Sequence, residues 1–151
     1  MKALTLTQPW ASMVAVGEKR IETRSWETAY RGPLAIHAGK NLTPVGGVRG
    51  LREKCGEHPF RMLLARHELD AGTLPRGCVV AICRLATCFP TSETTADYGA
   101  SLMAPWDIEL GDYSHGRYGW VLADVEPLEE PIPVRGHQQL WNLDDALLPA
   151  S

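Results

Sequence analysis

The sequence predicts an α+β fold, a small β-barrel of mixed and antiparallel strands flanked by short helices. Three observations predict it. Short apolar-polar alternating segments, with stretches of helical rhythm between them, run in the order β-α-β-β-α-β-β-β. The length of 151 residues suits one domain, which buries roughly 70% of its extended-chain surface. Neither a dinucleotide-binding glycine pattern nor a P-loop is present, which removes the commonest α/β nucleotide folds. The chain therefore reads as a single domain, 1–151, with a helical insertion at about 43–70.

The elements follow in order. Ala3 to Thr7 alternates as a half-buried strand does. Thr7 is placed to cap a short helix, with Pro9 in its first turn, running from about Pro9 to Val16 and stopping at Gly17. Lys19 to Ser25 is expected as a strand, and Leu34 to Ala38 as another after the Gly32-Pro33 break. From Asn41 to Leu69 the apolar spacing predicts one or two helices, interrupted near His58-Pro59. Cys78 to Phe89 is a long strand, and Thr91 to Gly99 a polar, mobile loop. Tyr118 to Val125 and Leu128 to Val134 are expected as two strands, the second at an edge because of Pro131 and Pro133. Gln138 to Leu148 is expected as a short amphipathic turn or helix.

Composition narrows the function classes. No segment approaches the ~20 apolar residues of a membrane span, and the N-terminus lacks the pattern of a secretory signal. A cytoplasmic protein without membrane contact is expected. Cys78, Cys83 and Cys88 are spaced five apart, an offset that puts neighbours on opposite faces of a regular strand. With Cys55 they are expected to be reduced core residues; no metal and no cofactor is expected. Asp97, Asp107 and Glu109 have no metal-demanding spacing and are expected in solvated loops. The net charge of −3 argues against a simple DNA-coating protein. It is unevenly spread: 12 Lys/Arg against 7 Asp/Glu through Arg76, and 3 against 11 beyond. The halves, +5 and −8, either pack against each other or leave a basic face for phosphates. Nothing in the sequence speaks to oligomeric state.

The polar aromatics point to a cleft. Five Trp and four Tyr stand against two Phe, and rings with N–H and O–H groups need partners when buried. Such rings suit a site where something flat is stacked and hydrogen-bonded at once. Lys19, Arg20 and Arg24 surround Glu22, so its carboxylate is held ionised and accepts from amine or imino groups of a base. The cations suit phosphate or carbonyl oxygen. Trp10, Trp26 and Tyr30, with Arg31, supply stacking candidates. A salt-bridged strand with structural tryptophans is the plainer alternative. On a regular strand Lys19 would face away from Glu22, so a bulge or the Gly17 turn must bring it round if the two share a site.

The run LTLTQPWASMVAVGEKRIETRSW, followed by YRGPLAIHAGK, resembles the ASCH domain family. Its pattern joins a QPWA helix start, a G-x-K-x-x-E-x-R segment and an R-G-x-x-x-I-H-A strand. GDYSHGRYGWVL and EPIPVRGHQQLW resemble the closing segments of a bacterial and phage subgroup that also has a eukaryotic relative. The resemblance spans roughly Met1 to Trp141. It implies a PUA-like barrel whose cleft is lined by the G-x-K-x-x-E-x-R segment, binding RNA, another single-stranded nucleic acid or a nucleotide. His37, Arg117, Arg135 and Gln138 are weaker candidates for the same role.

Some ASCH proteins are enzymes, so the resemblance also implies alternatives. The branch that deacetylates N4-acetylcytidine uses a lysine and, three residues on, a threonine, with a distant glutamate. Here Lys19 is followed at that offset by Glu22, and Thr23 comes one residue late, on the other strand face. A metal-independent nuclease would draw on Lys19, Glu22, Arg24 and His37, with Lys19 and Glu22 the catalytic candidates. A protein-interaction domain is the third reading. Within the binding class, a strand could run along Arg49, Arg52, Lys54 and Arg61, or one base could sit in the cleft.

Overall fold

The computed structural model describes residues 1–41, 46–93 and 102–149. Its strands are β1 (Lys2–Leu6), β2 (Ile21–Arg24), β3 (Gly32–Ala38), β4 (Cys78–Pro90), β5 (Tyr118–Pro133) and β6 (Leu140–Asn142). Its helices are α1 (Trp10–Ala15), α2 (Gly47–Gly56), α3 (Phe60–Arg66) and the short α4 (Asp107–Leu110). All strands form one six-stranded sheet, ordered β2-β5-β4-β3-β1-β6, in which β1 and β3 run parallel and the other pairs antiparallel. The sheet curls into a half-barrel. Arg24 on the first strand in this order donates from Nη2 to the carbonyl of Thr5 on the fifth, 2.8 Å away.

Alternation along β1 explains how it serves two cores. Leu4 and Leu6 turn inward to Leu34, Ile36, Val80, Leu85, Trp120 and Leu122, the main core, which Ala11 and Val14 of α1 cover. Ala3 turns outward to Ala35, Val79, Trp141 and Leu143. A further cluster joins Met13 of α1 to Leu51, Cys55, Phe60, Leu63 and Leu64 of α2 and α3, and to Leu110 of α4. Complete burial of a side chain of this size contributes about 1.5–3 kcal/mol, so α1, feeding two clusters, is the keystone between sheet and helices.

Several expectations need correction. Thr7 does not cap α1 with its side chain; Gln8 does the equivalent work, its Oε1 accepting from Ser12 N at 3.0 Å while its Nε2 donates to Pro75 O at 2.7 Å. The two strands expected between Tyr118 and Val134 are one, β5, because the Glu126-Pro127 break is absorbed by register shifts against β4. The prolines lie beyond Val121, where pairing with β2 stops, so on that side their missing N–H groups forfeit no ladder bond. The segment expected as a turn or helix near the C-terminus instead adds β6 to β1, with a 3₁₀ turn at Asp145–Leu147.

Strict alternation also fails for the cysteines: Cys78, Cys83 and Cys88 all meet the main core, because the shifts in β4 change its parity. All four thiols are free, and burial pushes that of Cys83 up to about 12. The polar loop begins with a 3₁₀ turn, Thr91–Glu93, while residues 94–99, with Asp97, lie outside the described residues, as do 43–45 of the helical insertion. Asp107 is not a solvated loop residue but fully buried. Among the described residues no three acidic, histidine or cysteine groups converge as metal ligands, and no helix is long and apolar enough to cross a membrane. Among the described residues every ion pair between side chains closes within its own half, while the N-terminal ammonium pairs with Asp145 across the two.

One of those ion pairs is a tie between helices. Glu18, just past the left-handed Gly17 (φ 82°), accepts from Arg66 Nη1 at 2.9 Å and from His67 Nε2 at 2.7 Å, fixing the end of α1 to the end of α3. Burial alone would raise its carboxyl, but hydrogen bonds and charge from His67 and Arg66 outweigh it and hold the group below its ordinary 4.5. A depressed carboxylate stabilises the fold above its unfolded value and loses that contribution as pH falls through the folded one. Glu18→Gln should therefore unfold at lower urea than wild type at pH 7, with the gap narrowing as pH falls below 4.5. A gap unchanged by acid would assign the effect to packing.

Candidate functional site

A polar cleft of about 620 Å³ opens where the curl brings β1 and β2 together. The turn at Gly17 answers the parity objection. Lys19 precedes β2 rather than lying on it, so its side chain can double back to the same side as Glu22. The ammonium is 1% exposed, with Nζ 2.5 Å from Ile21 O, 3.2 Å from Leu110 O and 3.4 Å from Glu22 Oε2. Two of its three protons are taken by the carbonyls of Ile21 and Leu110, and the Glu22 carboxylate stands beside it as counter-charge. Arg24 stands on the other side, its Nε an ion-pair contact 3.4 Å from Oε1 that makes no hydrogen bond, while its Nη2 donates to Thr5 O.

Glu22 is thus gripped from both sides and still lines the cleft. A carboxylate offers about four lone-pair positions, and both cations stand 3.4 Å from its oxygens as ion-pair contacts, so both oxygens keep acceptor capacity. Trp26 forms the adjoining wall, set edge-to-face on the fully buried Trp120 with centroids 4.6 Å apart. The Trp120 Nε1–H donates to Trp26 O at 3.3 Å, so the wall is anchored in the main core. Trp10 lines the opposite flank and packs edge-to-face on Phe60 at 5.4 Å.

The floor comes from residues the sequence did not single out as a site. Asp107, buried under the cleft, accepts from Arg20 N, Ile21 N and Ala104 N at 2.9, 3.1 and 2.6 Å, pinning α4 to the start of β2. Burial pushes its carboxyl up against these bonds and against the Lys19 charge, which hold it down. Arg117 reaches the rim, donating from Nε to Asp112 O at 3.1 Å and from Nη2 to Thr23 O at 3.2 Å. Three cations (Lys19, Arg24 and Arg117) and three carboxylates (Glu22, Glu109 and Asp112) line this cleft, so it is polar without being a phosphate trap.

Other candidates lie elsewhere. His37, Arg135 and Gln138 line a second cleft of about 830 Å³. His37 is 1% exposed; its Nε2 bonds Val134 O at 2.9 Å, and its Cε1–Nδ1 edge lies against Gly136, where a Cβ would fall 2.4–2.5 Å from the ring. It is a wall, and burial lowers its pKa below the ordinary value. It does not join Lys19 and Glu22. Tyr30 lines neither cleft: its hydroxyl donates to Pro33 O at 2.6 Å and its ring packs on the main core. On α2, Arg49 is paired with Glu53 at 2.8 Å and Lys54 with Glu57 at 2.5 Å, which weakens the case for a phosphate track there.

Comparisons with known proteins agree with this architecture. The model of the ASCH domain matches residues 4–132. Activating signal cointegrator 1 of Mus musculus is 26% identical over 145 residues, and that of Homo sapiens 24% over 144. Each alignment takes in 95% of this chain and 22% of the relative, so the chain spans about a fifth of their length. Crystal structures of ASCH from Zymomonas mobilis and of a tyrosine-to-phenylalanine variant of it share the fold. Each is 15% identical over 97% of this chain, at TM-scores of 0.52 and 0.54 and covering 89% and 91% of those chains.

Proposed function

The chain belongs to the ASCH family, a PUA-like family associated with RNA binding, and from that premise we propose that its first cleft holds one base of RNA or another single-stranded nucleic acid. One observation carries this reading: Glu22, held between two cations at ion-pair distance, lines the cleft with Trp26 and presents its two oxygens as adjacent acceptors. Two adjacent acceptors match two adjacent donors. Guanine, with N1–H next to its N2 amino group, is the base that presents them; cytosine and adenine set one amino group beside an acceptor nitrogen, which a carboxylate repels. Trp26 offers the ring face on which such a base stacks.

The same geometry favours binding over hydrolysis. A buried lysine tied to two carbonyls and paired with Glu22 is a poor general base, and Thr23 Oγ1, the nearest hydroxyl in sequence, accepts from Asp112 N at 2.9 Å instead of meeting a base. The test titrates the protein into labelled single-stranded RNA, single-stranded DNA and duplex, then recovers each for length and mass. Intact single strands bound about 10-fold more weakly by Trp26→Ala, but not by Trp26→Phe, are expected, since one stacked base is worth about 1–3 kcal/mol. Shortened or altered RNA would replace this reading with an enzyme.

A further inference from the structure

The second cleft differs from the first in one respect that decides its ligand. Arg135 and Lys40 line it, and among the described residues no carboxylate does. His137 and Gln138 add polar groups to the same wall. Lys40 lies beside Gly77, where a Cβ would sit 3.6–3.9 Å from the carbons of its aliphatic stem. Arg135 is carried by the segment after β5, whose path is fixed by Val134: its N–H donates to Gly77 O at 3.1 Å, and its carbonyl holds His37 Nε2. Gly136 then passes so close to His37 and to Thr5 Oγ1, 2.8 Å from where a Cβ would be, that no side chain fits.

The two clefts share a partition. Thr5 and Thr7 line both. The Thr5 carbonyl anchors Arg24 on the first side, and its hydroxyl accepts from Trp141 Nε1 at 3.1 Å on the second. Whatever leaves the balanced first cleft over these threonines enters an uncompensated cationic one.

We infer that the second cleft is a phosphate subsite, seating a backbone phosphodiester of the strand whose base occupies the first cleft. The inference rests on the reading of the first cleft and gives the domain a footprint longer than one nucleotide. Lys40 and Arg135 are the groups that meet the anion; Arg135 has the planar fork that matches phosphate oxygens. Each phosphate neutralised on a single strand contributes about 0.7 to the slope of log affinity against log salt.

The experiment compares wild type with Lys40→Ala/Arg135→Ala and with Glu22→Gln, all checked for unchanged melting. Each is titrated with guanosine, with a guanosine-containing tetranucleotide at three salt concentrations, and with inorganic phosphate. The double variant is expected to bind the tetranucleotide about 10-fold more weakly, with a salt slope smaller by about 0.7, while its affinity for guanosine stays unchanged. An unchanged slope would overturn the subsite, and so would equal losses for guanosine and tetranucleotide. If Glu22→Gln leaves tetranucleotide binding intact while the double variant removes it, the base reading of the first cleft fails and the phosphate subsite stands. Phosphate binding that survives in the double variant would place the anion elsewhere and overturn it.

Discussion

Lys19→Met is expected to destabilise the fold by roughly 3–5 kcal/mol, a fall of about 6–20 °C in melting temperature for a domain of this size. Methionine keeps the stem and its packing, so the loss isolates the ammonium. That group is 1% exposed and sits between Ile21 O at the start of β2, Leu110 O at the end of α4, and the Glu22 carboxylate. Removing it leaves two carbonyls short of a donor and a mostly buried carboxylate short of a counter-charge, and unpaired buried groups carry their full desolvation penalty. The change also loosens the cleft floor, since Asp107 holds α4 to β2 through the same short stretch, Arg20 N and Ile21 N. Thermal melts followed by circular dichroism measure the effect. A shift below about 2 °C would mean that water replaces the ammonium and that Lys19 is not the tie. Restoring part of the loss with Lys19→Met/Glu22→Gln would show that the stranded carboxylate carries a share of it.

The order of elements through β4 was legible because it rests on local signals, whereas α4 and the last strands were not. Alternation in ALTLT, the Gly17 stop and the His58-Pro59 interruption act over a few residues, and the structure keeps all three. Readings that depended on regularity over a long strand failed. The cysteine spacing and the supposed break in β5 both assumed an unbulged ladder, and bulges are set by what the partner strand does, which a single strand's pattern does not contain. The C-terminal strand was missed for a similar reason. Leu140, Trp141 and Asn142 are too few to show a period, and they form a strand because β1 leaves an edge to which they pair.

The candidate site divides along the same line. Lys19, Glu22, Arg24 and Trp26 fall within eight positions, so local sequence held them together and the fold kept them so. His37, Arg135 and Gln138 are separated from that group by a threonine partition that exists only once β1 lies between two clefts. Asp107 looked like one more acidic loop residue. Its burial follows from three backbone donors converging from two distant segments, and no spacing in the sequence announces that. The balance of charge over the whole chain was equally uninformative about the ligand. What distinguishes the clefts is local: among the described residues three carboxylates stand among the cations of the first, and none lines the second.

Glu22→Gln is the substitution with the largest expected effect on binding, about 30- to 100-fold weaker for a guanine-containing single strand. Hydrogen bonds to a charged group contribute about 1.5–3 kcal/mol each, and the amide replaces one acceptor oxygen by a donor that opposes a base N–H. The amide also faces Lys19 or Arg24 with N–H groups, so the side chain loses the two ionic contacts that orient it. Inosine provides a second, independent probe in the wild-type protein. It lacks only the N2 amino group, so it should bind about 10-fold more weakly than guanosine, and that difference should vanish in Glu22→Gln. Both follow from paired acceptors and from nothing else in the cleft: stacking on Trp26 is nearly the same for the two purines, and the phosphates are identical. Isothermal titration with the two nucleosides decides the matter. Equal affinity for guanosine and inosine in wild type would remove the carboxylate from base reading and leave Glu22 as the counter-ion that holds Lys19 and Arg24 in place.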